Sequence, residues 1–353
     1  METDYLILII ASLIAVGFMR YTPRNAGPNL VAAWSLGVLI AVSWISAIWL
    51  ISGMIANLIF MKIGDQSSKR GLVLCVAITF HSALLLYMRE LPNLLLLGGA
   101  YFTLRHIHVI AEWWIDPNSM PTYKNYMRDQ LFLPVLAAGP IHRCAPFLRQ
   151  ISRRRNDLGE LLEGSERLLF GVFQYTFLGS WLMNKIVWGM EVFISVKPFF
   201  IGDLIFSALD WISLYFLFSG ISSIAIGLSL MMGIRIEENF NSPWRARSLP
   251  DFWSRWHMSL TSFSRDYVFR PVSIQLSSNL LGAFFAMLFI GIWHGSSISW
   301  VLWGFWQGIG VLLTVYFRGK GVFSCLPRWM GWVFAALWLV ATEPMVSRIS
   351  EVI

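Results

Sequence analysis

Six histidines, His81, His106, His108, His142, His257 and His294, are the side chains best suited to proton transfer near neutral pH. His294 stands in Gly291-Ile292-Trp293-His294-Gly295, inside 271–317, a stretch with no Asp, Glu, Lys or Arg. An ionisable group at membrane depth is costly, so a functional role is the first reading. An interhelical hydrogen bond that merely ties two spans together is the second. A buried imidazole at this depth is expected to be neutral, and a neutral imidazole can act as a general base. Gly295 offers either a helix break or room for a close substrate. His257 is the second candidate, against the plainer reading of an interfacial histidine. His106, His108 and Glu112 invite a metal reading. Only His108 and Glu112 share a helix face at i, i+4, and no third ligand is evident, so no metal site is expected. No G-x-S-x-G elbow, phosphate loop or dinucleotide fingerprint appears.

These residues must be held by membrane elements. Of 353 residues, 56% are hydrophobic and only 13% charged, about half the charge of a soluble domain; mean hydropathy is +0.61. The charge-free runs are 5–19, 25–61, 71–88, 91–104, 168–184, 211–234, 271–317 and 329–342. By the length rule they give an all-α polytopic integral membrane protein with about eight to eleven transmembrane or re-entrant helices. The 271–317 run is long enough for two crossings with a bend at Gly291–Gly295. The 25–61 run exceeds one crossing, with Gly53 the expected break. One membrane-embedded domain over 1–353 is expected.

The net charge of +7 resides in loops between apolar runs. It reads as positive-inside topology and attraction to anionic headgroups, not as a nucleic-acid surface. Arg20 and Arg24 follow the first span, so that side is expected in the cytoplasm and the N-terminus outside it, in the inner membrane. The cluster Arg143, Arg149, Arg153, Arg154 and Arg155 is expected on the cytoplasmic side too, with docking of an acidic partner or donor phosphates as a second role. Asp157, Glu160, Glu163 and Glu166 alternate with leucines in a surface helix that re-enters the membrane at Leu168. Cys75, Cys144 and Cys325 are far apart and suggest no disulfide scaffold or zinc ribbon.

Ser248-Leu249-Pro250-Asp251 has the composition of a helix start with a capping box. Phe252, Trp256, Leu260, Phe263 and Tyr267 then fall on one helical face, and Arg255, Ser259, Ser262 and Asp266 on the other. His257 lies on the border, and Pro271 is expected to end this amphipathic helix.

Residues Tyr215–Gly310 resemble the membrane-bound O-acyltransferase family, in the bacterial branch of alginate O-acetyltransferases and teichoic-acid D-alanyltransferases. The resemblance rests on Tyr215-Phe216-Leu217-Phe218-Ser219-Gly220, Glu238-Asn239-Phe240-Asn241-Ser242-Pro243, Asp251-Phe252-Trp253-Ser254-Arg255-Trp256-His257, Arg265-Asp266-Tyr267, Trp293-His294-Gly295 and Trp303-Gly304. Upstream, Gly139-Pro140-Ile141-His142-Arg143 is similar to another element of the branch, so the motif-bearing core is about 130–310. The branch usually has aspartate where Leu217 and Ser223 stand.

The resemblance implies an O-acyltransferase fold with a central tunnel. His294 corresponds to the essential histidine and His257 to a second one. Trp293, Asn239, Asn241, Trp256, Arg255, Ser259 and Asp266 are the candidate tunnel or orienting residues. The implied reaction moves a short acyl group, acetyl first, from a cytoplasmic thioester to hydroxyls of an exported polysaccharide or cell-wall glycan. The donor is acetyl-coenzyme A or an acyl carrier protein, no bound cofactor is implied, and an extracytoplasmic acyltransferase is the expected partner. The alternatives are an O-acyltransferase acting on a lipid or protein hydroxyl, and a non-catalytic transporter or channel.

Overall fold

The computed structural model describes residues 2–91, 96–194, 199–320 and 328–352. Cys325 lies outside them. Among the described residues the secondary structure is helical throughout, with no strand. This follows from the solvent: in hydrocarbon each backbone polar group must be satisfied within its own segment, and helices do that. Five helices are long and apolar enough to cross a membrane, namely Gly27–Asp65, Arg70–Glu90, Ile201–Met231, Ile298–Gly319 and Trp329–Val346. Tyr5–Tyr21 and Asn279–His294 are shorter apolar helices.

The chain divides into two compact units. The first is Met1–Gly171 with Ile221–Glu237. It holds α1 (Glu2–Tyr21), α2 (Gly27–Asp65), α3 (Arg70–Glu90), α4 (Gly99–Ile115), α5 (Tyr123–Gln130), α6 (Cys144–Arg153) and most of α7 (Leu158–Phe173). Its interior is polar as well as apolar. Asn57 donates to Tyr126 Oη (2.9 Å), which pairs with His106 Nδ1 (3.0 Å), and Asn57 Oδ1 bonds His81 Nε2 (2.8 Å). Beside this, Asp129 Oδ1 meets His142 Nε2 at 3.0 Å, and Arg105 donates to the carbonyls of Asp129 and Gln130.

One expectation fails in this unit. The break in α2 is at Ser43 (φ −152°, ψ 85°), not at Gly53. Ser43 Oγ accepts from Ser46 N, so the hydroxyl caps the helix as it restarts. Gly53 stays helical, and its missing side chain makes room for the His106 ring, 2.7 Å from where a Cβ would sit. His106 and His108 have separate partners: His108 Nε2 accepts from Cys144 N (3.0 Å), and its Nδ1 is 3.9 Å from Glu112. Cys144 is buried and Cys75 exposed, both free thiols.

The second unit is Val172–Gly220 with Glu238–Ile353. After a π-helical stretch, Gln174–Leu182, it holds α8 (Met183–Ile194) and the first part of α9 (Phe199–Met231), whose end belongs to the first unit. Then come α10 (Leu249–Trp253), α11 (Met258–Ser264), α12 (Arg270–Gln275), α13 (Asn279–His294), α14 (Ile298–Gly319) and α15 (Arg328–Val352). The expected bend in 271–317 is the turn between α13 and α14.

The amphipathic helix expected over 248–270 starts as read: Ser248 Oγ accepts from Asp251 N, with Pro250 in the first turn. It does not continue. The chain breaks after Trp253 and restarts at Met258, because His257 is left-handed (φ 44°, ψ 53°) and Met258 N bonds the Asn239 carbonyl instead of a helical one. Ser259, expected on the polar face, is buried. Pro271 does not end the segment either. It lies in the first turn of α12, after a π-helical turn at Arg265–Phe269, where no amide proton is needed.

Candidate active site

His294 is the last residue of α13, and Gly295 leads the chain into α14. The two helices pack through glycines. A Cβ at Gly291 would lie 2.8 Å from the Gly304 backbone, and one at Gly304 would lie 2.9 Å from the Met287 carbonyl. A side chain at Gly295 would run into the Trp300 indole. This close approach sets Trp300 flat against His294, with ring centroids 5.0 Å apart at 24°, and brings Trp303 to 5.8 Å. Trp293 lies edge-on at 4.9 Å. The imidazole is half-buried and held by aromatic contacts on several sides.

His257 is placed by the turn before α11. Asn239, fully buried, accepts at Oδ1 from Ser259 Oγ (2.6 Å) and Ser259 N (3.4 Å), while its carbonyl takes Met258 N at 2.9 Å. Asn241 N donates to the Arg255 carbonyl at 3.0 Å. A left-handed non-glycine residue costs roughly 1–3 kcal/mol and persists only where its surroundings over-determine it. Here these bonds do so. The His257 ring packs edge-on to Phe218 (4.6 Å) and tilted against Trp293 (5.8 Å), and the residue is 3% exposed. It lies outside the spanning helices. Burial, with a smaller contribution from His294, holds its pKa well below the ordinary histidine value.

His257 and His294 line one cavity of about 600 Å³. Trp256 is in its wall too, and Trp293 touches both imidazoles. Other expected site residues lie elsewhere. Asn239 and Ser259 stand behind the His257 turn. Arg255 is paired with Asp251 at 2.8 Å, and Asn241 takes Arg255 Nη1 on its carbonyl. Asp266 is bridged to Arg265 (3.1 Å) and Arg270 (3.3 Å). None of Arg255, Asn241 and Asp266 lines the cavity.

The cavity also contains residues that the sequence reading missed. Asp210 on α9 and Glu343 on α15 line it, close enough to interact electrostatically. Asp210 and Glu343 each flank a charge-free run and read in the sequence as its boundary, whereas both lie inside helices.

Two imidazoles and two carboxylates in one aromatic pocket of an all-helical membrane protein define the class of site. The chain belongs to the membrane-bound O-acyltransferase family (MBOAT), which it matches over residues 115–335, including His142, His257 and His294. It is similar to the probable alginate O-acetylase AlgI of Pseudomonas aeruginosa, 33% identical over 70% of this chain and 48% of that protein. It is also similar to the teichoic acid D-alanyltransferase of Bacillus subtilis, 28% identical over 62% of this chain and 58% of that protein. The peptidoglycan O-acetyltransferase of Helicobacter pylori is 26% identical over 92% of this chain and 67% of its own length. The chain spans about half the length of the alginate O-acetylases it matches.

Proposed function

We propose that this protein is a membrane O-acyltransferase that moves a short acyl group, acetyl first, from a thioester on the cytoplasmic side to a hydroxyl of an exported polysaccharide or cell-wall glycan. The observation that carries this reading is the placement of His294 and His257 in one aromatic-walled cavity. The names of the relatives support a cell-envelope polymer as the final acceptor.

The chemistry needs little more. As the acceptor oxygen attacks the thioester carbonyl, a C–O bond forms and the C–S bond breaks. The His294 imidazole takes the hydroxyl proton and returns it to the leaving thiolate. General-base assistance of this kind contributes about 10²–10⁴ in rate. The indoles of Trp293, Trp300 and Trp303 keep the ring oriented and exclude bulk water, which limits hydrolysis of the thioester. His257, the second imidazole lining the cavity, orients the carbonyl being attacked in this reading. The donor is coenzyme A or a carrier protein, and a separate extracytoplasmic acyltransferase completes delivery to the polymer.

The test is His294→Ala in cells, with membrane abundance confirmed by immunoblot and glycan O-acyl esters measured by mass spectrometry. Loss of the esters is expected. Unchanged esters at equal abundance would sink the assignment. Esters found on a lipid or protein alone would replace the acceptor.

A further inference from the structure

A base that takes a proton becomes a cation. As the acceptor oxygen attacks the thioester carbonyl, its proton passes to a His294 ring nitrogen and stays there until the leaving thiolate collects it. A charge formed between indoles is costly, because the water that would solvate it is kept away. The groups packed on the ring therefore matter more for the imidazolium than for the neutral imidazole.

Among the described residues three indoles contact this ring, and they do so differently. Trp293 and Trp303 stand steeply to it, at 66° and 77°, with centroids 4.9 and 5.8 Å away. Trp300 is the one stacked on it, at 24° and 5.0 Å, so the face of its π-system lies over the imidazole. The face of an indole within about 6 Å attracts a cation, and more strongly as water is removed. Trp300 is the third residue of α14 and is 38% exposed, so burial in a core does not account for its place. Gly295 does. Its backbone is extended (φ −168°, ψ 162°), so the positive φ that usually calls for glycine is not in play. Space is what calls for it: a Cβ there would collide with the Trp300 indole.

We propose that Trp300 is a positioning residue for the reaction: seated by the missing side chain at Gly295, its indole face stabilises the imidazolium that His294 becomes. This role rests on the acyl-transfer reading. Asp210, Glu343 and His257 share the cavity and act on the same charge. They are unchanged in every variant at position 300, so their effect is common to the whole series. If Trp300 only filled space, the electron density of its ring would not matter.

The test replaces Trp300, in cells and by nonsense suppression, with tryptophans carrying progressively more ring fluorines. Fluorine draws electron density from the face of the ring and leaves its shape nearly unchanged. Glycan O-acyl esters are followed over time by mass spectrometry at equal membrane abundance, beside W300F, W300L, G295A and H294Q. Ester formation is expected to fall with each added fluorine, by about threefold to thirtyfold over the series. W300F is expected to keep part of the rate and W300L to lose more of it. G295A is expected to fall as well, since both rings remain but the indole is pushed off the imidazole. Equal rates across the fluorinated series, or the wild-type rate in G295A, would overturn the proposal, and loss of esters in H294Q would then leave the acyl-transfer reading standing. Wild-type ester formation by H294Q would overturn both.

Discussion

His257 and His294 differ in how they are held, and the difference has consequences. His294 sits on a helix end among indoles, half-buried and open to the cavity. His257 sits in a strained turn, fully enclosed, with its pKa depressed by burial first and by His294 second. In the unfolded chain the same imidazole titrates near its ordinary value of about 6.5. Below that pH the unfolded state therefore binds a proton that the folded state resists, and stability falls as pH falls. Above about pH 7.5 the effect is absent. The expected result is that the melting temperature of the wild type drops more between pH 7.5 and 5.5 than that of His257→Gln. Equal drops would show that His257 is not held neutral. Both histidines were legible in the sequence, since a polar residue in or beside an apolar run is conspicuous. Asp210 and Glu343 were not, because a charge at the edge of such a run is read as its end, and only packing of α9 and α15 brings them to the cavity.

At the scale of elements, the turn between α13 and α14 was readable from Gly291 and Gly295. The breaks at Ser43 and His257 were not. The first rests on a local cap, the Ser43 hydroxyl accepting from Ser46 N three residues on, which a serine inside an apolar run does not announce; the second rests on a distant partner, the Asn239 carbonyl that captures Met258 N. The buried network of the first unit shows the same dependence on tertiary partners. Asp129, His142 and Arg105 come from three separate segments, and no spacing rule joins them. Burial pushes the Asp129 carboxyl up, but His142 and Arg105 together outweigh it and hold it below the usual carboxylate range. Its contribution to stability is then present above the unfolded value of about 3.9 and is lost as pH falls through that range. Removing one partner of a buried pair typically costs about 3–5 kcal/mol. Asp129→Asn is expected to lower the melting temperature at pH 7 and to flatten the acid side of the stability profile. A variant as stable as the wild type would show that the pair does not hold α5 to the 141–144 segment.

For the whole molecule, the scarcity of charge identified a helical membrane protein, and the ordered motifs from Tyr215 onward identified the family. The division of chemistry between the two units was not legible. The histidine cavity belongs wholly to the second unit, and a cavity lined by Arg153, Arg154, Arg155 and Arg235 belongs wholly to the first, although both draw on segments far apart in sequence. A sequence lists both sets of residues without saying which face a common space.

The most direct test of the catalytic role of His294 is acyl transfer by the purified full chain in liposomes, supplied with a radiolabelled acetyl thioester and a hydroxyl acceptor, with His294→Gln run at equal protein. Acceptor-dependent ester formation by the wild type, reduced by about 10²–10⁴ in the variant, is expected. Ester formation at the wild-type rate by His294→Gln would contradict it.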